Sequence, residues 1–304
     1  MDDHIGQFLN FMSVEKGASG NTIAAYRNDL HQFYQYLNGS AASNGRGPAW
    51  DKIDRRFLSS YVIWLKGRRY AEATVARKVA AVKSFFQFLH AEGLVRSNPG
   101  EHLASPRVGK SLPKPLSVTE VDELLEQPLK RETPEARRDR AMLELLYATG
   151  LRVSELVALD LDSIVVDQRG ARVRCMGKGA RERVIPIHDQ ALSAVTHYLE
   201  EARPALVRNR REAALFVNRR GERLTRQGFW LILKQYAREA NLQRKVTPHT
   251  LRHSFATHML RGGAPLRNVQ ELLGHANIST TQVYTQLSND HVREVYEKAH
   301  PRAR

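Results

Sequence analysis

The sequence predicts a mainly α protein of two domains: an N-terminal four-helix domain and a C-terminal mixed α/β domain with a small antiparallel sheet. Three observations carry this reading. Apolar residues recur at helical spacing through most of the first half of the chain. A proline-bearing stretch with little apolar periodicity, RSNPGEHLASPRVGKSLPKPLS, then interrupts the pattern. Beyond it, three short β-branched runs lie among further helical patterns. The expected boundaries are 1–92 for the first domain, 93–115 for an extended linker and 116–304 for the second domain.

In the first domain, IGQFLNFMSVEKG supplies one helix. NTIAAYRNDLHQFYQYL supplies the next, with Ile23, Tyr26, Leu30, Phe33 and Leu37 on one stripe. The polar, glycine-bearing NGSAASNGRGPAW reads as a loop. DRRFLSSYVIWLKGRRY and EATVARKVAAVKSFFQFLHAEGL read as two more amphipathic helices. Val75, Val79, Val82, Phe86 and Leu89 form the apolar stripe of the last, and its other face carries Arg77, Lys78 and Lys83. Basic bias shared by several helices favours a polyanion-facing surface over simple solvation.

The second domain opens at SVTE, where Ser117 and Glu120 match a capping box. RRDRAMLELLYATG reads as a helix stopped at Gly150, followed at once by the helix LRVSELVAL, with Arg152 and Glu155 three apart on one face. SIVVD, ARVRCM and RERVIPI read as strands. The turn GKGA joins the last two into a hairpin with Lys178 at its tip. From LTRQGFWLILKQYAREANL onward the pattern is helical again.

The composition is ordinary for a globular protein, with 42% hydrophobic and 26% charged residues, but 47 Lys+Arg against 32 Asp+Glu give a formal net charge of +15. A field of that sign attracts polyanions, of which nucleic acid is the commonest large one. One cysteine, Cys175, excludes an intrachain disulfide and a cysteine-based zinc cluster, and it fits a reducing compartment. The start MDDHIGQFLNF lacks the cationic, then apolar, order of a signal peptide. No apolar run reaches bilayer-spanning length, so a cytoplasmic chain without a membrane partner is expected.

The stretch TPHTLRHSFATHML concentrates the chemistry. Thr247 as N-cap and Pro248 at the first helical position open a helix, placing His249 in a first turn that favours anions, with Arg252 three residues on. His249 and His253 have the i, i+4 spacing of zincins, but the general-base Glu of that motif is absent and an arginine stands beside the pair. Oxyanion binding by His249 and Arg252 is therefore the better reading, with His253 and His258 as packing or surface residues. Further on, His275 follows Gly274, and STTQ from Ser279 matches a capping box for a short helix bearing Tyr284. A tyrosine there is either an ordinary aromatic or a nucleophile.

Taken together, ATGLRVSEL, GKGARERVIPI, HTLRHSFATHML, LLGHANISTTQVYT and VYEKAHPRA closely resemble the tyrosine recombinases of the phage integrase family, and within them the Xer subfamily (XerC- or XerD-like). NTIAAYRNDLHQF and ATVARKVAAVKSFFQFL resemble that family's N-terminal core-binding, SAM-like domain, so the likeness covers nearly the whole chain. The order Arg, Lys, His-x-x-Arg, His, Tyr is complete.

The resemblance implies a role for each residue. Tyr284 would be the nucleophile, forming a 3′-phosphotyrosine and freeing a 5′-hydroxyl. Arg152 and Arg252 would fork onto the non-bridging oxygens of the transition state, with His275 as a further donor. Lys178 would be the general acid for the leaving oxygen, and His249 would assist proton transfer. Glu155 would orient Arg152 or His249 from behind. The covalent link conserves the bond energy, so neither ATP nor a metal or other cofactor is expected, and no Walker A-like loop is present. The implied assembly is a C-shaped clamp on duplex DNA, as a homo- or heterotetramer with a second Xer-like recombinase. It would exchange strands at a dif-like recombination site to resolve chromosome dimers before cell division. An FtsK-type DNA translocase is the candidate activator. A type IB topoisomerase shares the chemistry, but the Xer-like N-terminal half and tail stand against it. A mobile-element integrase is the other alternative, and no arm-binding domain is expected ahead of the first helices.

Overall fold

The computed structural model describes residues 2–39, 49–104, 114–168, 170–176, 182–274 and 289–303, with side chains from residue 3 and, in the last segment, from residue 291. The chain divides into two compact units, Met1–Ser111 and Leu112–Arg304.

The first unit is the expected four-helix domain: α1 (Asp2–Val14), α2 (Gly20–Gly39), α3 (Arg55–Gly67) and α4 (Glu72–Ala91). Asp54 caps α3, accepting the Phe57 N–H at 2.8 Å. The stripes read from the sequence meet in one core, with Leu30, Phe33 and Leu37 of α2 against Val75, Val79, Val82, Phe86 and Leu89 of α4. The basic face of α4 is less free than its spacing suggests. Lys78 is buried and donates to the buried Asp29 carboxylate at 2.9 Å, and Arg77 pairs with the other oxygen. A buried carboxylate needs such partners, so these two cations hold α4 to α2. Lys83 donates to the Leu103 carbonyl at 3.1 Å, while Val95 and Leu103, from the stretch read as linker, enter this core.

The second unit opens with α5 (Val118–Glu126), whose capping box is formed in both directions: Ser117 N–H to Glu120 Oε2 at 2.7 Å, Glu120 N–H to Ser117 Oγ at 3.1 Å. Next comes α6 (Pro134–Thr149), buried along most of its length and therefore the central helix of the unit. The short α7 (Val153–Ala158) leads into β1 (Ile164–Asp167), β2 (Gly170–Met176) and β3 (Glu182–Pro186), an antiparallel sheet in the order β1-β2-β3. Period-two alternation turns Val173, Cys175 and Ile185 into the core. α8 (Asp189–His197) continues through a wider turn, Tyr198–Ala202, into α9 (Arg203–Leu206). α10 (Arg226–Glu239), α11 (Pro248–Arg261), α12 (Leu266–Leu273) and α13 (Asn289–Ala299) complete the unit. Among the described residues no helix is long and apolar enough to cross a membrane.

The C-terminal segment is fastened to this unit by polar contacts. Arg302 donates to Asp122 at 2.7 Å, Glu144 at 2.9 Å and Gln190 at 2.7 Å. His300 is wholly buried, its ring 5.1 Å from Tyr147, 5.0 Å from Tyr296 and 4.9 Å from His188, centroid to centroid. Both histidines accept backbone N–H groups at Nδ1, His188 from Ala191 and His300 from Arg302, each at 3.2 Å. Burial pushes His188 down to about 4, and burial, then His188, pushes His300 down to about 3.

These two imidazoles are expected to make the fold acid-sensitive. In the unfolded chain they take up protons near pH ~6.5, whereas the folded protein resists until well below that. Their stabilising contribution is full above that pH and declines as pH falls toward the folded values. The expected loss is roughly 1.4 kcal/mol per group per pH unit in that window. Unfolding free energies from urea titrations between about pH 7 and pH 5 should decline with falling pH and approach this slope below about pH 6, and His300→Gln should flatten the dependence while lowering the plateau.

Candidate active site

Three segments far apart in sequence converge at the ends of α6, α11 and α12. The α6–α7 junction supplies Arg152 and Glu155, α11 supplies His249 and Arg252, and β3 adds Arg183. Gly150 ends α6 with φ +59°, a left-handed conformation suited to glycine. A Cβ at this position would lie 2.3 Å from the Phe255 ring, so both conformation and space demand glycine. The tight stop turns the chain so that Arg152 becomes the N-cap of α7. Its N–H donates to Glu155 Oε2 at 2.7 Å and its guanidinium to Oε1 at 2.9 Å.

Arg252 is buried in the first half of α11, whose start Thr247 and Pro248 define as expected. Its guanidinium donates to the Gly150 carbonyl at 2.5 Å and to the Leu273 carbonyl at 2.7 Å. Arg152 reaches the neighbouring Gly274 carbonyl at 3.4 Å. The two arginines therefore hold consecutive carbonyls at the end of α12, immediately before His275 in sequence. Burial, then the nearby Arg152 charge, brings the Arg252 guanidinium down to about 10, so it remains a cation at neutral pH.

Glu155 is the carboxylate of this cluster. Arg183 grips it with both terminal nitrogens, at 3.0 Å to Oε1 and 2.7 Å to Oε2. Burial raises the Glu155 pKa, but the hydrogen bonds from Arg183 and the Arg152 backbone outweigh it and hold the carboxyl below its usual range. Among the described residues, three guanidiniums and one carboxylate leave two positive charges uncompensated within the cluster. Arg152, whose side chain is 40% exposed, presents the open edge.

His249 is exposed on the first turn of α11, three residues before the buried Arg252. His253 is half-buried, and His258 is buried with its Nδ1 at 2.8 Å from the Tyr147 hydroxyl, a packing role. Lys178, His275 and Tyr284 lie outside the described residues, as do the GKGA turn and the STTQ capping box. The other four tyrosines of this unit, Tyr147, Tyr198, Tyr236 and Tyr296, are each at most 2% exposed. Burial raises the phenol of every one of them. None can serve as a solvent-facing nucleophile. The residue that the motif reading passed over is Arg183. Its signal lay in strand phase: it stands two positions before the buried Ile185, so its side chain falls on the inward face.

The model described as phage integrase family matches residues 114–291, and that of the phage integrase N-terminal SAM-like domain matches residues 5–93. Tyrosine recombinase XerC of Herpetosiphon aurantiacus is 53% identical over 95% of this chain and 92% of its own length. Tyrosine recombinase XerD of Oceanobacillus iheyensis is 45% identical over 98% of each. Among solved structures, XerH site-specific recombinase bound to difH substrate in a pre-cleavage complex superposes with a TM-score of 0.68 at 24% identity, over 95% of this chain and 83% of that one. That superposition speaks for the fold.

The geometry at Gly150 yields a stability prediction. Gly150→Ala must place a methyl group into the Phe255 ring in a left-handed backbone. The left-handed conformation costs roughly 1–2 kcal/mol, and overpacking about 1–3 kcal/mol more. Urea unfolding should show a loss of about 2–5 kcal/mol, and a loss below about 0.5 kcal/mol would contradict the tight contact.

Proposed function

The chain belongs to the phage integrase family and is a tyrosine recombinase, an enzyme that cuts and rejoins DNA, and we propose that it is a site-specific member of Xer type. It would act on duplex DNA at a dif-like site, as a tetramer in which a second Xer-like recombinase or further copies of this chain complete the synapse. Its proposed place in the cell is the resolution of chromosome dimers before division, in the cytoplasm. An FtsK-type translocase remains the proposed activator. Relatives named XerC and XerD match almost end to end, which supports this reading over a topoisomerase or a mobile-element integrase.

The observation that carries the catalytic assignment is the convergence of Arg152 and Arg252 on the two carbonyls that precede His275. In the proposed reaction the Tyr284 oxygen attacks the scissile phosphorus. The Arg152 and Arg252 guanidiniums bond the non-bridging oxygens as negative charge builds up, with His275 as a third donor. The bond to the 5′-oxygen breaks, and that oxygen takes a proton from Lys178. His249, at the exposed first turn of α11, assists the proton transfer to and from the phenol. Rejoining is the reverse, with a 5′-hydroxyl attacking the 3′-phosphotyrosine. Glu155 fixes the Arg152 fork. Fixed cations supply the charge that a metal would otherwise bring, so cleavage should persist in excess EDTA. The N-terminal unit would add its own exposed cations to DNA binding; the proposed domains are residues 1–92 and 116–304, with the stretch 93–115 between them, of which Val95 and Leu103 pack into the N-terminal core.

Tyr284→Phe should abolish covalent attachment to a nicked suicide duplex while leaving non-covalent binding within about twofold, because only the attacking oxygen is lost. The adduct, digested and mapped by mass spectrometry, should fall on Tyr284. An adduct on another tyrosine, or one that survives Tyr284→Phe, would overturn the assignment. Affinity for duplex DNA should also fall steeply with salt as phosphate contacts release counterions. A binding constant that stays flat from about 50 to 200 mM salt would contradict DNA binding through the basic surface.

A further inference from the structure

Arg183 lies on β3, and its register partner on β2 is the buried Cys175. Paired residues share a face of the sheet, and Ile185, two positions on, is fully buried. The Arg183 side chain is thus sent into the protein, where it is only 13% exposed. There it meets three features at once. It holds both oxygens of Glu155 in a two-pronged pair. Through Glu155 it bears on Arg152, whose N–H and guanidinium use the same two oxygens. And it lies against Gly274, where an added Cβ would come within 2.5 Å of an Arg183 terminal nitrogen. The backbone of Gly274 has φ +66°, which favours glycine for a second reason.

We propose that Arg183 is a positioning residue that locks the Glu155–Arg152 pair and the end of α12 into one rigid unit, so that the phosphate-binding fork and the Gly274 end of α12 are set against each other. Three elements meet at this one guanidinium: β3, the start of α7 and the C-terminal end of α12. Only arginine suits the task. A lysine would bring the charge but not two parallel N–H bonds to one carboxylate. Without Arg183, Glu155 keeps a single cationic partner while still buried. Its carboxyl then titrates closer to neutrality, and its protonation releases Arg152.

The inference rests on the proposed phosphate-binding role of Arg152, and the experiment separates the two. Single-turnover cleavage of a nicked suicide duplex is measured in the full-length protein for Arg183→Ala, Arg183→Lys, Arg152→Ala and Tyr284→Phe, with duplex affinity and unfolding midpoints beside it. Arg183→Ala is expected to cleave roughly 100-fold more slowly, as loss of orientation does, with affinity within about twofold of the parent. Arg183→Lys, which keeps the charge and so protects against the chance that the alanine variant fails to fold, should recover no more than about a tenth of the parent rate.

The discriminating readout is the pH profile. Both Arg183 variants should gain an additional acid-side decline in cleavage as pH drops from about 7 to 5, on top of any that the parent shows. Adding Glu155→Gln to either should remove that decline. An Arg183→Lys variant that cleaves within about threefold of the parent with an unchanged pH profile, while Arg152→Ala is inactive, overturns the positioning role and leaves the site intact. A loss of cleavage without any new pH dependence also overturns it, since a merely structural defect would do that. If Arg152→Ala itself cleaves normally, it is the underlying site assignment that falls.

Discussion

The arrangement of this site depends on one constraint: like-charged guanidiniums must be held close together in a partly buried place. Arg152, Arg183 and Arg252 repel one another, and burial adds a desolvation cost to each. The depressed pKa of Arg252 records both effects. Two devices offset them. Glu155 contributes its carboxylate to Arg152 and Arg183 together, and Arg252 is bonded to two backbone carbonyls instead of to a counter-ion. Carbonyl dipoles solvate a cation without neutralising it. The site can therefore keep a net positive charge and still be rigid.

That rigidity is supplied from the centre of the unit outward. Gly150 and Gly274 end α6 and α12 in left-handed turns that aim carbonyls at the arginines. The Ser254 hydroxyl of α11 accepts the Leu116 N–H at 2.8 Å, tying the helix that carries Arg252 to the entry of α5. Arg302 and His300 fasten the C-terminal segment to Asp122 on α5 and to Glu144 and Tyr147 on α6. α6 thus carries a buried polar network along its length and the arginine cluster at its C-terminal stop. The described part of the site is built from helix ends and a strand, which favours fixed orientation of its cations.

Much of this was legible in the sequence, for reasons that are local. Helical stripes such as Val75 to Leu89, the Ser117–Glu120 capping box, the Thr247–Pro248 start and the glycine stops all act within one or two turns, and each appears in the fold as read. The Arg152–Glu155 pair was legible for the same reason, being three residues apart on one helix. What spacing could not reveal were contacts set by tertiary packing. Arg77 and Lys78 looked like a solvent-facing basic strip, yet a single buried carboxylate on α2, Asp29, draws both inward. Arg183 reads as one more basic residue of a basic hairpin until β3 is given its register against Cys175. The use of Gly150 and Leu273 carbonyls by Arg252 was beyond reach too, because backbone acceptors carry no residue identity.

The same electrostatics explain why a strained arginine is tolerated. A guanidinium whose proton is held less firmly than in water is destabilised as a cation, and by linkage anything that brings negative charge to it restores what is lost. A phosphodiester approaching the open edge of Arg152 does so modestly, and the more highly charged transition state of the proposed reaction does so more strongly. The two uncompensated charges would also favour a phenolate over a phenol, opposite to the effect of burial on Tyr147, Tyr198, Tyr236 and Tyr296. The unit thus separates its tyrosines by environment: those in the core are driven toward inert phenols, and one arriving beside the arginines would be driven toward the nucleophilic form. Replacing the cluster by a fully neutralised set of ion pairs would make the free protein more stable and remove that preference. The cost carried by Arg252 in the free protein is the counterpart of the charge stabilisation that the site can give to its substrate.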